Sequence, residues 1–333
     1  MGNKKPKAGS DCGAASPGPG NGRLSCSSMY SLQDKLVVAV ASSALFDLTE
    51  SDLVFREQGE EAYRAHQRER EDQVLAPGVA FPFLRRLLSL NGVGDDRPVE
   101  VILLSRNDPD TGSRVFHSIE KHGLDIERAV FTKGAPPWRY VESFGASLFL
   151  TAHPGDVREA LRMGIPAGQV LSSPAQDDRD DPGLRIAFDF DGVLADDASE
   201  IVYQKEGLEG FRREEEKKRN LPLDPGPLLR LFRDLGRLQA LERARAKADP
   251  AYVVRLRIAI ATARGAPAHQ RVVASLREWG LSVDEAFFLG GVEKSRVLGT
   301  FRPHIFFDDQ LAHATPASHV LPAVHVPFGV ANP

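Results

Sequence analysis

Short apolar runs punctuate this chain at long intervals, each followed by a polar break. Leu36-Val37-Val38-Ala39-Val40 comes first and Val99 to Leu104 second, with Leu184 to Phe188, Arg257 to Ala261 and His304 to Phe307 further on. Continuous apolar runs, as opposed to strict alternation, mark strands buried on both faces. Between them lie segments of helical pattern around Pro82 to Leu90, Ser199 to Arg219 and Leu228 to Ala246. Strand–helix alternation of this kind predicts an α/β fold, parallel sheets flanked by helices. Residues 1–30 are rich in Gly, Ser, Pro and Lys and predict a disordered leader. The polar stretch 172–183, which holds Asp177, Asp178, Asp180 and Asp181, reads as a linker between lobes at 31–171 and 184–333.

The two lobes repeat one another. Val54-Phe55 and Gly59 match Val202-Tyr203 and Gly207, 148 positions on, and Leu75-Ala76-Pro77-Gly78 matches Leu223-Asp224-Pro225-Gly226 at the same offset. Further along, His122-Gly123-Leu124 to Phe131 matches Trp279-Gly280-Leu281 to Phe288 at an offset of 157. The change of offset places an insertion of 9 residues near Leu238 to Val253. A constant offset across unlike residue types favours a duplication over shared strand–helix grammar.

The repeat makes the chemistry legible. The strand ending at Phe188 runs into Asp189-Phe190-Asp191-Gly192-Val193. Two carboxylates at alternate positions before a turn-permitting glycine would face the crevice beyond the strand ends. Thr262 ends another apolar run, Lys294 follows 32 positions later, and Asp308-Asp309 ends the run from His304. At the same offsets the first lobe carries Ala41, Ser43, Ser105 and Thr151-Ala152, so each candidate cation-binding acid is neutral there. One lobe keeps a site and the other a scaffold.

Composition narrows the setting. The chain has 333 residues with Lys+Arg 42 against Asp+Glu 46, a net charge of -4, so it carries no global basic footprint for nucleic acid. No run reaches the ~18 apolar residues that span a bilayer, and the N-terminus has no apolar signal core. Its 2 cysteines, Cys12 and Cys26, both lie in the leader, which excludes a disulfide framework. A cytoplasmic protein is expected.

The order Asp-x-Asp-Gly-Val, Thr, Lys, Asp-Asp resembles the haloacid dehalogenase-like hydrolase superfamily. A narrower resemblance runs through Ala44-Leu45-Phe46-Asp47, Leu104-Ser105-Arg106-Asn107, Thr262-Ala263-Arg264, Asp284 to Gly291 and Phe306-Phe307-Asp308-Asp309-Gln310. These segments look like the cytosolic 5'-nucleotidase type I family. Phe190 and Gly192 depart from that family's Asp-Gly-Asp-Ala-Val and stand nearer the superfamily form.

The resemblance implies tandem Rossmann-like lobes, the second carrying a helical cap at about 194–256. It further implies hydrolysis of nucleoside 5'-monophosphates, AMP prominently, with Mg2+ as cofactor. Asp189 would be the nucleophile, Asp191 the proton carrier, and Thr262 and Lys294 phosphate-binding groups. Metal would be held by Asp189, Asp191 through its backbone carbonyl, and Asp308 or Asp309. Arg106, Asn107, Asp110 and Arg264 are candidates for substrate contact, although Asn107 to Asp110 equally reads as a turn. Whether the chain forms a homo-oligomer stays open.

Plainer readings stand beside these. Glu214 to Lys218 reads as a solvated helix face, and His269, His304 and His325 lack metal-ligand spacing and read as structural. A phosphatase of another small phosphomonoester, or a nucleotide-binding regulator, would use the same scaffold.

Overall fold

The computed structural model describes residues 30–92 and 97–332, so the leader expected at 1–30 lies, but for residue 30, outside the described residues. The first half runs β1 (Leu36–Val40), α1 (Ser42–Leu45), α2 (Thr49–Glu69), α3 (Phe81–Ser89), β2 (Val99–Ser105), α4 (Ser113–Lys121), β3 (Arg128–Phe131), β4 (Leu148–Thr151), α5 (Pro154–Arg162) and β5 (Ala167–Val170). The second half runs β6 (Leu184–Phe188), α6 (Ala198–Lys217), α7 (Leu229–Ala248), β7 (Leu256–Thr262), α8 (His269–Glu278), β8 (Glu285–Phe288), α9 (Lys294–Phe301), β9 (Ile305–Asp308), α10 (Leu311–Ser318) and β10 (Ala323–His325).

Among the described residues these strands form one sheet in the order β3-β2-β1-β4-β5-β10-β9-β6-β7-β8. Read inward from its two edges, the order is the same in both halves. Neighbours within each half are parallel. The seam is not: β5 and β10 pair antiparallel through Val324 opposite Val170 and His325 opposite Gln169. The strands of the two halves therefore point in opposite directions. The C-terminal strand ends of the first half lie along the edge that holds the N-terminal strand ends of the second.

The strand sequences explain the layering. β1, β2, β4 and β9 are buried along their whole length, as apolar runs covered by helices on both faces should be. Each such Val, Leu, Ile or Phe contributes about 1.5–3 kcal/mol relative to exposure. Beneath the second half's crevice, Phe188 stacks on Phe307 at 5.0 Å between ring centroids and meets Phe232 of α7 edge-on at 5.5 Å. Where the insertion is expected in the second half, α7 has 20 residues, against 9 in α3.

Helices α2 and α6 are both broken at the matched glycines. Gly59 in α2 has φ 86° and ψ -175°, and Gly207 in α6 has φ 68° and ψ -169°. That conformation is essentially restricted to glycine. The segment 172–183, expected as a linker, is held by ion pairs. Asp177 pairs with Arg85 at 2.9 Å and Arg86 at 2.6 Å, and Asp181 with Arg185 at 2.6 Å.

Candidate active site

Four segments of the second half converge beyond its strand ends. Asp189 follows β6, and its amide is fixed by a 2.7 Å bond to the Phe307 carbonyl of β9. Its own Oδ1 accepts from the Phe190 amide at 2.6 Å. Gly192 turns the chain with φ 71°. A Cβ there would lie 2.5 Å from the Asp309 carboxyl carbon, so any larger residue would collide with the second acid of that pair. Thr262 ends β7, is buried, and accepts from the Arg264 amide at 3.2 Å.

Lys294 opens α9 and is buried to 2 % exposure. Its ammonium lies 2.7 Å from Asp189 Oδ2 and 2.6 Å from Asp308 Oδ2. Asp308 Oδ1 accepts from the Gln310 amide at 2.9 Å and lies 3.5 Å from His313 Nδ1. Asp309 Oδ1 is buried without a hydrogen-bond partner. The Asp309 carbonyl accepts from Asn332 Nδ2 at 2.8 Å and lies 3.0 Å from His325 Nε2, the structural place expected for that histidine.

This packing of acids shapes their protonation. Burial, with the charges of Asp308 and Asp191, outweighs Lys294 and pushes Asp189 up to about 7. Burial and the charges of Asp189 and Asp308 push Asp309 up to about 9. Burial alone would raise Asp308 too, but Lys294 and His313 hold it below the ordinary range. Burial would weaken Lys294 as an acceptor of charge, yet Asp189 and Asp308 raise its pKa, so it stays an ammonium.

The cluster fits a hard divalent cation. One donor atom from each of Asp189, Asp308 and His313 lies within 4.8 Å of the others, and the unpartnered Asp309 oxygen is buried in the same cluster of charges. An oxygen-dominated set suits such an ion. His313 was not singled out in the sequence; its signal is its place in the helix that follows Asp308-Asp309.

A cavity of about 460 Å³ opens over Asp189, Asp191, Thr262, Gln310 and His313, and α6 supplies its outer wall through Tyr203, Leu208 and Phe211. Arg264 also lines it, but its guanidinium is engaged. Nε and Nη2 fork onto Asp191 at 2.7 Å each, Nη2 also reaches Ser199 Oγ at 2.6 Å, and Nη1 bonds Glu215. Glu215 overturns one expectation. The run Glu214 to Lys218 is not wholly a solvated face, because Glu215 is 1 % exposed between Arg264 and Arg271. Two guanidiniums from distant segments make that burial tolerable, which the local charge run cannot reveal.

The structure does not bring Arg106, Asn107 and Asp110 to this cavity. They follow β2, at the opposite edge of the sheet, where Arg106 pairs with the buried Asp156 at 3.0 Å and Asp110 with Arg68 at 2.5 Å. Asn107 accepts from the Tyr63 hydroxyl at 2.9 Å. A second cavity, of about 400 Å³, includes His304 at the N-terminal end of β9. Burial there, with Arg86 and Arg185 nearby, holds His304 neutral down to about 3, as a structural histidine.

Acids, an ammonium and a hydroxyl gathered at parallel strand ends make this a site for an anionic, cation-coordinating ligand. Comparison with known proteins agrees: the model of the 5'-nucleotidase family matches residues 28–333, and the chain belongs to that family. It is 34% identical over 298 residues to human cytosolic 5'-nucleotidase 1B, covering 87% of this chain and 48% of that protein. The chain thus spans about half the length of that relative. No solved structure matches it. Among the described residues, no helix is long and apolar enough to cross a membrane.

Proposed function

We propose that this chain is a cytoplasmic, Mg2+-dependent 5'-nucleotidase that converts nucleoside 5'-monophosphates, AMP among them, to nucleoside and phosphate. The observation that carries the reading is Asp189, at the end of a parallel strand, facing the cavity with a buried ammonium 2.7 Å away. In this reading an Asp189 oxygen bonds to phosphorus as the bond to the ribose 5'-oxygen breaks, and Asp191 protonates the departing oxygen. Water then attacks the aspartyl-phosphate, gives its proton to Asp191, and frees Asp189. Lys294 and Thr262 would hold the phosphoryl oxygens. Asp189, Asp308 or Asp309, and the Asp191 carbonyl would hold Mg2+, which offsets repulsion between the anionic nucleophile and the anionic phosphate.

The fold that serves this chemistry is proposed as two duplicated haloacid dehalogenase-like lobes, 31–171 and 184–333, joined at 172–183 and capped at about 194–256. The repeated strand order and the paired glycine kinks support that reading. The test is phosphate release from nucleoside monophosphates and sugar phosphates, with and without Mg2+, alongside Asp189→Asn. The variant should fold and bind nucleotide without turnover. Retained hydrolysis in it would remove Asp189 as nucleophile, and a preference for sugar phosphates would favour a phosphatase of another small ester.

A further inference from the structure

The two halves share a buried polar framework but not its charges. Leu75 N donates to Ser118 Oγ at 3.0 Å, and Leu223 N donates to Ser275 Oγ at 2.9 Å. Arg114 Nε donates to the Gln73 carbonyl at 2.9 Å, and Arg271 Nε to the Leu221 carbonyl at 2.9 Å. Each arginine then reaches a buried side chain of a kinked helix, Arg114 one of α2 and Arg271 one of α6. Arg114 Nη1 bonds Gln67 Oε1 at 3.1 Å, and Arg271 Nη1 bonds Glu215 Oε1 at 2.9 Å. All of these pairs obey the offsets of 148 and 157 read from the sequence.

Three positions in the framework differ in charge, and they differ together. Glu215 stands where the first half has Gln67, Arg264 where it has Asn107, and Asp191 where it has Ser43. Gln67 is as buried as Glu215 and seats Arg114 with an amide alone. Seating the framework arginine therefore does not require a carboxylate. What the Glu215 charge adds is its second partner, Arg264, whose fork is spent on Asp191. A buried carboxylate between two guanidiniums carries a desolvation cost that an amide avoids. A planar fork on a carboxylate, in return, fixes both of its oxygens.

We propose that Glu215 is a positioning residue for hydrolysis: it anchors Arg264, which orients the Asp191 carboxyl toward the leaving oxygen. This rests on the nucleotidase reading above for the role of Asp191. As the Asp189–phosphorus bond forms and the phosphorus–ester oxygen bond breaks, the Asp191 proton passes to that oxygen. The carboxylate left behind is the form that the Arg264 fork holds. Glu215 does not line the cavity; it acts through Arg264.

The experiment compares two leaving groups in wild type, Glu215→Gln and Glu215→Asp. One substrate is a nucleoside monophosphate, or whichever alkyl phosphate the wild type cleaves best; the other is p-nitrophenyl phosphate, whose phenolate departs without a proton. Glu215→Gln, which copies the first half, should lower kcat/KM for the alkyl ester by about tenfold or more, part of the roughly 10²–10⁴-fold that a positioned general acid contributes. The aryl ester should lose less than about threefold, and Glu215→Asp should recover part of the alkyl activity. Equal losses on both esters, or none, would overturn the proposal. If Glu215→Gln does not fold, the Glu215→Gln, Arg264→Asn double variant restores the neutral pairing of the first half and is judged by the same ratio. Failure of the wild type to cleave nucleoside monophosphates would instead count against the nucleotidase reading.

Discussion

Lys294 Nζ stands 2.7 Å from Asp189 Oδ2 and is itself 2 % exposed, so the candidate nucleophile faces a cation that water cannot replace. The same ammonium spans to Asp308 at 2.6 Å, making it the internal counter-ion of the whole acidic cluster. Replacing it with a neutral chain of similar length leaves the buried acids facing one another. Lys294→Met should lower the stability of the metal-free protein by about 3–5 kcal/mol, the scale for breaking a buried ion pair from one side. Denaturant unfolding in the presence of chelator measures this. A loss below about 1 kcal/mol, the surface-pair scale, would mean that the pair is not buried in solution.

Protonation gives a second expectation. Asp189 and Asp309 are pushed up to about 7 and about 9, above the ordinary carboxyl value of an unfolded chain. A raised carboxyl keeps its proton in the folded state after the unfolded chain has lost it. Its contribution to stability is complete below about pH 4 and fades as pH climbs through the folded value. His304 and His325 are depressed, so their titration lies below about 6.5 and leaves the higher range clear. The Tm of chelator-treated protein should therefore fall between about pH 6.5 and 9, and saturating Mg2+ should flatten the slope by favouring the ionised acids. Calorimetry at three pH values, with and without the ion, decides it. An unchanged slope would argue that no cation sits among these carboxylates.

The kinks offer a paired comparison. A Cβ at either Gly59 or Gly207 would meet nothing within 4 Å, so alanine there costs only the backbone conformation. Each substitution should cost about 1–3 kcal/mol. Gly207 sits between Tyr203 and Leu208 in the cavity wall, whereas Gly59 has no such position. Gly207→Ala should raise KM while Gly59→Ala leaves it alone. Equal effects on KM would mean that α6 does not bound the substrate.

Arg106 tests the separation of the two edges. Its guanidinium belongs to Asp156, at the strand ends of the first half. Arg106→Ala should leave KM and kcat within about twofold and lower Tm by a few degrees, as loss of a half-buried pair does. A large rise in KM would place that loop against substrate after all.

Much of this was readable from the chain. The apolar runs marked β1 and β6 residue for residue, and β2, β7 and β9 to within one residue at either end. β3, β4, β5 and β8 have 4 residues each and β10 has 3, too few for a periodic signal, and β3 and β8 are only half-buried at the sheet edges. The antiparallel seam depends on how one half docks on the other, which no local pattern encodes. Asp189 and Asp308 were placed by strand-end context, and Lys294 by its order in the superfamily pattern. Glu215 and His313 were not, because each takes its meaning from partners far away in sequence. A charge run looks solvated until one member finds a guanidinium.

The seam also bears on how the molecule is made. β10 lies between β5 and β9 and hydrogen-bonds to both. Until residue 325 has emerged from the ribosome, both neighbouring edges stay open, although β5 was synthesised more than 150 residues earlier. Unpaired edges of that kind recruit other chains. The β5 edge therefore stays open to other chains for as long as the residues between it and β10 are being made.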